Sequence, residues 1–148
     1  MWQIVVANTK PEGSNGQGPA ILQAALDALA EGDVDEAVDQ FGDQFTFTDH
    51  AFGLKFKQKD RLYRYFVEIR KSFPESERTD HMRLSHGEVI FSQWRLTVTW
   101  KKPFLSGRFH KVKSEAHGIS VVRVSDGRIV EWSEYYDQTR LRCYRLVG

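Results

Sequence analysis

The sequence predicts an α+β domain: three helices laid against a strongly curved, mostly antiparallel sheet. Three observations carry this. Apolar residues in the first half recur at helical spacing, in segments with sharp stops. From about residue 78 the pattern changes to the alternation of strands. Asp126-Gly127, set between Val124 and Ile129, marks a tight hairpin. Helices first and strands later put the helices on one face of the sheet. A concave face that they cannot fill encloses an apolar pocket for a small molecule.

The 148 residues are one domain's length. Aromatics at 13% and a formal charge of +1 point to a packed core rather than a disordered chain. The same balance lacks the basic excess of a nucleic-acid protein. No apolar run is long enough for a membrane span. The opening MWQIVVANTK lacks the basic leader and long apolar stretch of a signal peptide, so a cytoplasmic protein is expected. The single cysteine, Cys143, excludes an intrachain disulfide and a multi-thiolate zinc site. With no acid or histidine at a nucleophile's spacing, Cys143 is read as inert.

Residues 1–18 read as an arm and linker, and residues 19–148 as the domain. The stretch GSNGQG lacks the Gly-Lys-Ser/Thr ending of a phosphate loop and is read as linker. Pro19 suits a first helical turn, and Ile21, Leu22, Ala25, Leu26 and Leu29 then share one face until Gly32. Asp33 and Glu36 form a capping box. It opens a second helix with stripe Val34, Ala37, Val38 and Phe41, closed by Gly42. Residues 45–50 alternate as a strand, Gly53 turns the chain, and residues 54–56 pair back. Leu62, Tyr65, Phe66, Ile69 and Phe73 mark a third helix that Pro74 stops. Residues 81–86, 89–101, 107–124 and 128–136 then read as strands.

The ending is distinctive. Val121-Val122-Arg123-Val124-Ser125-Asp126-Gly127-Arg128-Ile129-Val130-Glu131-Trp132, followed by Glu134-Tyr135-Tyr136-Asp137, is a strand, an Asp-Gly turn and a Tyr-Tyr-Asp close. With the tandem helices and Phe73-Pro74, it resembles the SnoaL-like (polyketide cyclase-like) branch of the nuclear transport factor 2-like superfamily. The resemblance covers residues 19–140. It implies a conical α+β barrel with a deep pocket, and a homodimer through the outer sheet face. It does not imply one chemistry, because similar folds host isomerases, cyclases, epoxide hydrolases, dehydratases and non-enzymatic binders.

Two acids lead the candidates. Glu134 shares a strand face with Val130, Trp132 and Tyr136, where burial would raise its pKa toward that of a working acid or base. The resemblance to limonene epoxide hydrolases puts a water-activating aspartate at this position, with Glu here in place of Asp. Asp49 shares a face with Phe45 and Phe47 before the turn at Gly53, and ketosteroid isomerase relatives carry their proton-shuttling aspartate in this region. The bland alternatives are a surface ion pair for Glu134 and a turn-capping role for Asp49. Arg95 matches the arginine of the epoxide hydrolases' Arg-x-Asp motif, but Thr97 replaces its acid. That departure counts against epoxide hydrolysis and leaves Arg95 as a partner for Glu134.

Phe47, Trp94, Trp132 and Tyr136 are expected to line the pocket, with His50 and His117 as further substrate contacts. His110 shares their acid/base potential near neutral pH. Tyr63, Tyr65 and Tyr135 are further hydroxyl donors. No histidine pair has compact metal-site spacing, so neither metal nor cofactor is expected. The basic group Lys101, Lys102, Arg108, Lys111 and Lys113 reads as a solvated hairpin face. Three readings stay open. One is cofactor-independent acid/base catalysis on a hydrophobic small molecule. The second is an apolar-ligand binder, and the third a dimeric adaptor.

Overall fold

The computed structural model describes residues 16–103, 107 and 109–142 of the chain. Residues 1–15 of the expected arm, Arg108, Cys143 and the side chains of Trp100, Lys101, Lys102 and His110 lie outside the described residues, and residues 17–18 of that arm belong to the first helix. Helix α1 (Gln17–Glu31) begins two residues before Pro19 and ends at Gly32, whose φ of 88° is the left-handed cap that favours glycine. Asp33 then accepts from the Glu36 amide at 3.0 Å and starts α2 (Val34–Asp39).

Strand β1 (Phe41–Asp49) follows at once. Phe41 therefore opens a strand rather than ending the second helix, and its ring stacks on Trp132 across the sheet. A turn through Gly53 leads to β2 (Leu54–Phe56), and α3 (Lys59–Ser72) stops just before Phe73-Pro74. Then come β3 (Glu75–His86), β4 (Val89–Pro103), β5 (Phe109–Ser125) and β6 (Arg128–Tyr136). A one-turn helix, α4 (Thr139–Arg142), follows. It was not expected from the sequence.

The six strands form one sheet in the order β2-β1-β6-β5-β4-β3. All neighbours are antiparallel except β1 and β6. Asp126 and Gly127 both have positive φ, as the Asp-Gly hairpin requires. The core lies between α1, α2, α3 and the sheet's concave face, around Leu22, Leu26, Phe47, Leu62, Val122 and Trp132. Two irregularities re-aim side chains. Between Val124↔Ile129 and Arg123↔Glu131 the β5–β6 register shifts, so Ile129 rather than Val130 joins the core above Trp132. Between Asp80 and Met82 the β3 register shifts too, so Asp80 and Arg83 both turn inward.

Candidate functional site

Parallel pairing of β1 with β6 sets Asp49 directly beside Glu134. Both side chains belong to the buried face, Asp49 wholly so. They line one cavity of about 90 Å³ between α1, α3, α4 and the sheet. Phe47, Tyr65, Trp94, Trp132 and Tyr136 supply much of its aromatic wall.

Each acid has its own set of donors. Asp49 Oδ2 accepts from the Tyr65 hydroxyl at 2.6 Å and the Tyr136 hydroxyl at 2.8 Å. Its Oδ1 accepts from the Phe52 amide at 3.1 Å, which also closes the turn after β1. The turn-capping and pocket-lining readings of Asp49 therefore describe one residue. Among the described residues no lysine or arginine forms an ion pair with it. Burial, and then the adjacent Asp49 charge, push both tyrosine hydroxyls far above their ordinary pKa. They remain protonated donors throughout the working pH range.

Glu134 Oε1 accepts from Trp132 Nε1 at 2.7 Å and Arg78 Nη1 at 3.4 Å. Its Oε2 accepts from the Ser120 hydroxyl at 2.7 Å and Trp94 Nε1 at 3.2 Å. Burial pushes this carboxyl up from the usual range. The Arg78 charge and the bonds from Ser120 and Trp132 pull it back only in part. Arg78 is itself held: its Nε donates to Asp80 at 2.8 Å, and Asp80 accepts again from Arg83 at 2.8 Å and from Ser92. Burial would raise Asp80, but the Arg78 charge and the bonds from Arg78, Ser92 and Arg83 outweigh it and hold the carboxyl below its ordinary range. Two buried arginines thus alternate with two buried carboxylates, from Glu134 and Arg78 in the cavity wall to Asp80 and Arg83 behind it.

Trp94 depends on its cross-strand partner. Gly118 pairs with it, and a Cβ added at Gly118 would stand 2.3 Å from the indole. Only glycine lets the ring lie across β5 toward Ser120 and Glu134. The guanidinium of Arg78 packs 5.0 Å above the same ring.

Not every candidate comes to this cavity. Arg95 lies on the outer sheet face, 3.8 Å from Glu115, with both side chains well exposed. It does not reach Glu134; Arg78 fills that role. His117 is also outside, 2.7 Å from Glu115, because it neighbours Gly118 and strand neighbours point apart. His50 stacks on Tyr135 at 4.2 Å on the outer face, away from Asp49. Tyr63 and Tyr135 are exposed. The residues that sequence reasoning passed over are Arg78, Asp80 and Ser120. The inward side of early β3 reads Ser76, Arg78, Asp80, with no apolar residue to mark it as buried. Ser120 sits in a plainly buried register between Gly118 and Val122, and a buried hydroxyl there was a usable signal.

Residues 22–132 match the sequence profile of the SnoaL-like domain, and the chain belongs to that family. No curated protein sequence matches it. Several solved structures share the fold. A candidate SnoaL-like polyketide cyclase from Jannaschia sp. CCS1 is similar at TM-score 0.76 and 15% identity, covering 93% of this chain and 96% of its own. IdmH, a candidate polyketide cyclase from Streptomyces antibioticus, is similar at 0.74 and 16%, covering 88% and 99%. AclR, a candidate hydroxylase from Streptomyces galilaeus, is similar at 0.71 and 14%, covering 88% and 96%.

Proposed function

We propose that this protein binds a small, largely apolar molecule carrying a carbonyl group, and that Asp49 moves a proton on the carbon beside that carbonyl. One observation carries the reading. Asp49 is a fully buried carboxylate lining an aromatic cavity, and hydroxyl and amide donors rather than a cation hold it. A carboxylate without a counter-ion is available to take a proton.

The step balances within the site. The C–H bond breaks, its proton goes to Asp49, and its electron pair moves toward the carbonyl oxygen. Once neutral, Asp49 no longer needs two charge-assisted donors. Tyr65 or Tyr136 is then free to turn its O–H to the new oxyanion. Return of the proton to another carbon is an isomerisation. Attack of the carbanion on a second carbonyl, whose new alkoxide takes the proton back from Asp49, is an aldol-type cyclisation, and departure of a neighbouring hydroxyl as water, carrying that same proton, is a dehydration. None of these needs a cofactor. Glu134, whose oxygens are occupied by Arg78, Ser120 and two indoles, is the fixed second acid that holds the cavity wall in shape.

Occupied oxygens on both acids also favour a second reading, a binder without turnover. Exchange in D2O separates the two. With a cyclic ketone such as 1-tetralone, wild type is expected to shift the ligand's NMR signals and exchange its α-protons. Asp49→Asn should bind but not exchange. Binding without exchange by wild type would establish the binder, and no binding of apolar ketones would overturn both. We propose in addition that two copies associate through the outer sheet face. Leu84, Phe91, Ile119 and Tyr135 stand 46–48% exposed there on neighbouring strands.

A further inference from the structure

The inner cavity, at about 90 Å³, is small beside ordinary ligand pockets of roughly 300–1,000 Å³. A second, open cleft of about 430 Å³ adjoins it between the α1–α2 turn and the end of α3. Ile69, Arg70, Phe73 and Ser76 line both spaces. These four residues are therefore a wall shared by the inner cavity and the outer cleft.

Arg70 gives that wall its chemistry. Its Nη1 donates to the Leu29 carbonyl, near the end of α1. Its Nη2 lies against Gly32, where an added Cβ would come within 2.8 Å. Among the described residues Arg70 has no carboxylate partner within ion-pair distance. The neighbouring cation, Lys71, pairs with Glu68 at 3.4 Å. On the opposite wall stand Asp33, which caps α2, and Asp35. Among the described residues that line the cleft, the cations are Arg70 and Lys71, both on its α3 side, and Arg70 is the one without a carboxylate partner.

We propose that the outer cleft is a second subsite of the ligand site, and that Arg70 selects ligands with a carboxylate tail. The ring of such a ligand lies in the inner chamber over Asp49 and Glu134, and its tail passes the shared wall to Arg70. A planar guanidinium suits a carboxylate, because two N–H groups can meet its two oxygens. This inference rests on the inner cavity being the ligand site, as proposed above.

The test uses two probes on the full chain: 1-tetralone, and a tetralone carrying a butanoate chain. Dissociation constants are read from quenching of tryptophan fluorescence and checked by calorimetry. Wild type is expected to bind the tailed ketone at least tenfold more tightly than the plain one. Arg70→Met should remove that advantage, bringing the dissociation constants of the two ketones within twofold of each other. Arg70→Lys, which keeps the charge, should recover part of it. Because Arg70 also ties α3 to α1, each variant is first matched to wild type by thermal unfolding. Equal losses on both probes, or none on either, would overturn the subsite. So would failure of wild type to bind the tailed ketone. Loss of plain-ketone binding in wild type alone would sink the inner-cavity reading while Arg70 still governed the tailed probe.

Discussion

Asp80 shows how a residue just outside the cavity lining holds its wall in place. It anchors Arg78 on one oxygen and Arg83 and Ser92 on the other, and Arg78 in turn holds Glu134 and Ser120. Asp80→Asn would leave two buried guanidiniums short of charge. The expected loss is about 3–5 kcal/mol by urea unfolding at neutral pH. The carboxyl's lowered pKa sets the pH trend. The contribution is present above the ordinary aspartate pKa of about 3.9 and fades as pH falls through the lower folded value. Wild type and Asp80→Asn should therefore converge in acid. Glu134 behaves oppositely. Its folded pKa is raised, so its contribution is complete below about 4.3 and declines as pH climbs through the folded value. The stability margin of wild type over Glu134→Gln should thus narrow from pH 4 upward. A margin that widened would contradict a desolvated Glu134. Glu134 and Asp49 were legible in the sequence because each shares a strand face with aromatics, whereas Asp80 was not. Arg78 was not, because its neighbours on that face are Ser76 and Asp80, and a buried polar row looks like an exposed one.

At the scale of elements, the β4–β5 pair is fixed by a contact between a large and an absent side chain. Gly118→Ala would drive a methyl into the Trp94 indole. The expected cost is about 1–3 kcal/mol, with a changed near-ultraviolet dichroism as the ring leaves Ser120 and Glu134. An unchanged spectrum would mean that the indole is not held as described. The α1–α2 junction is simpler. Asp33→Ala removes one cap bond and should cost about 0.5–2 kcal/mol in thermal or urea unfolding. Helix periodicity and the cap residues placed α1, α3 and the start of α2, but α2 ends at Asp39 and Gly42, expected to close it, lies in β1. Strand limits were harder. Phe41 fits the stripe of α2 and the face of β1 equally, and pairing with β6 decides for the strand. The bulge at Val130 could not be foreseen, because an extra residue in one strand leaves no mark in alternation.

For the whole molecule, helices preceding long strands were enough to indicate the fold class. The family ending, from Val121 to Asp137, added the cone. What the sequence could not supply was which strands meet. Its faces could be assigned strand by strand, but His50, Arg95 and His117 fall on the convex side only once register is known. That side also carries the proposed self-association. Sedimentation of wild type is expected to give a dimer, and Phe91→Lys with Ile119→Lys a monomer with its cavity intact. A monomeric wild type would refute the association.

Asp49 and Glu134 are register partners, yet β2, α3 and three long strands separate β1 from β6 along the chain. The three other long strands must be made between them. Such a distant pairing carries a large loop-closure cost and belongs to the slow, non-local part of folding. A chain still emerging from the ribosome can complete α1, α2 and β1 while Asp49 has nothing to stand beside. The cavity thus comes into being late and all at once. Competence to bind should appear in refolding only with the slowest kinetic phase, after the helices have already formed.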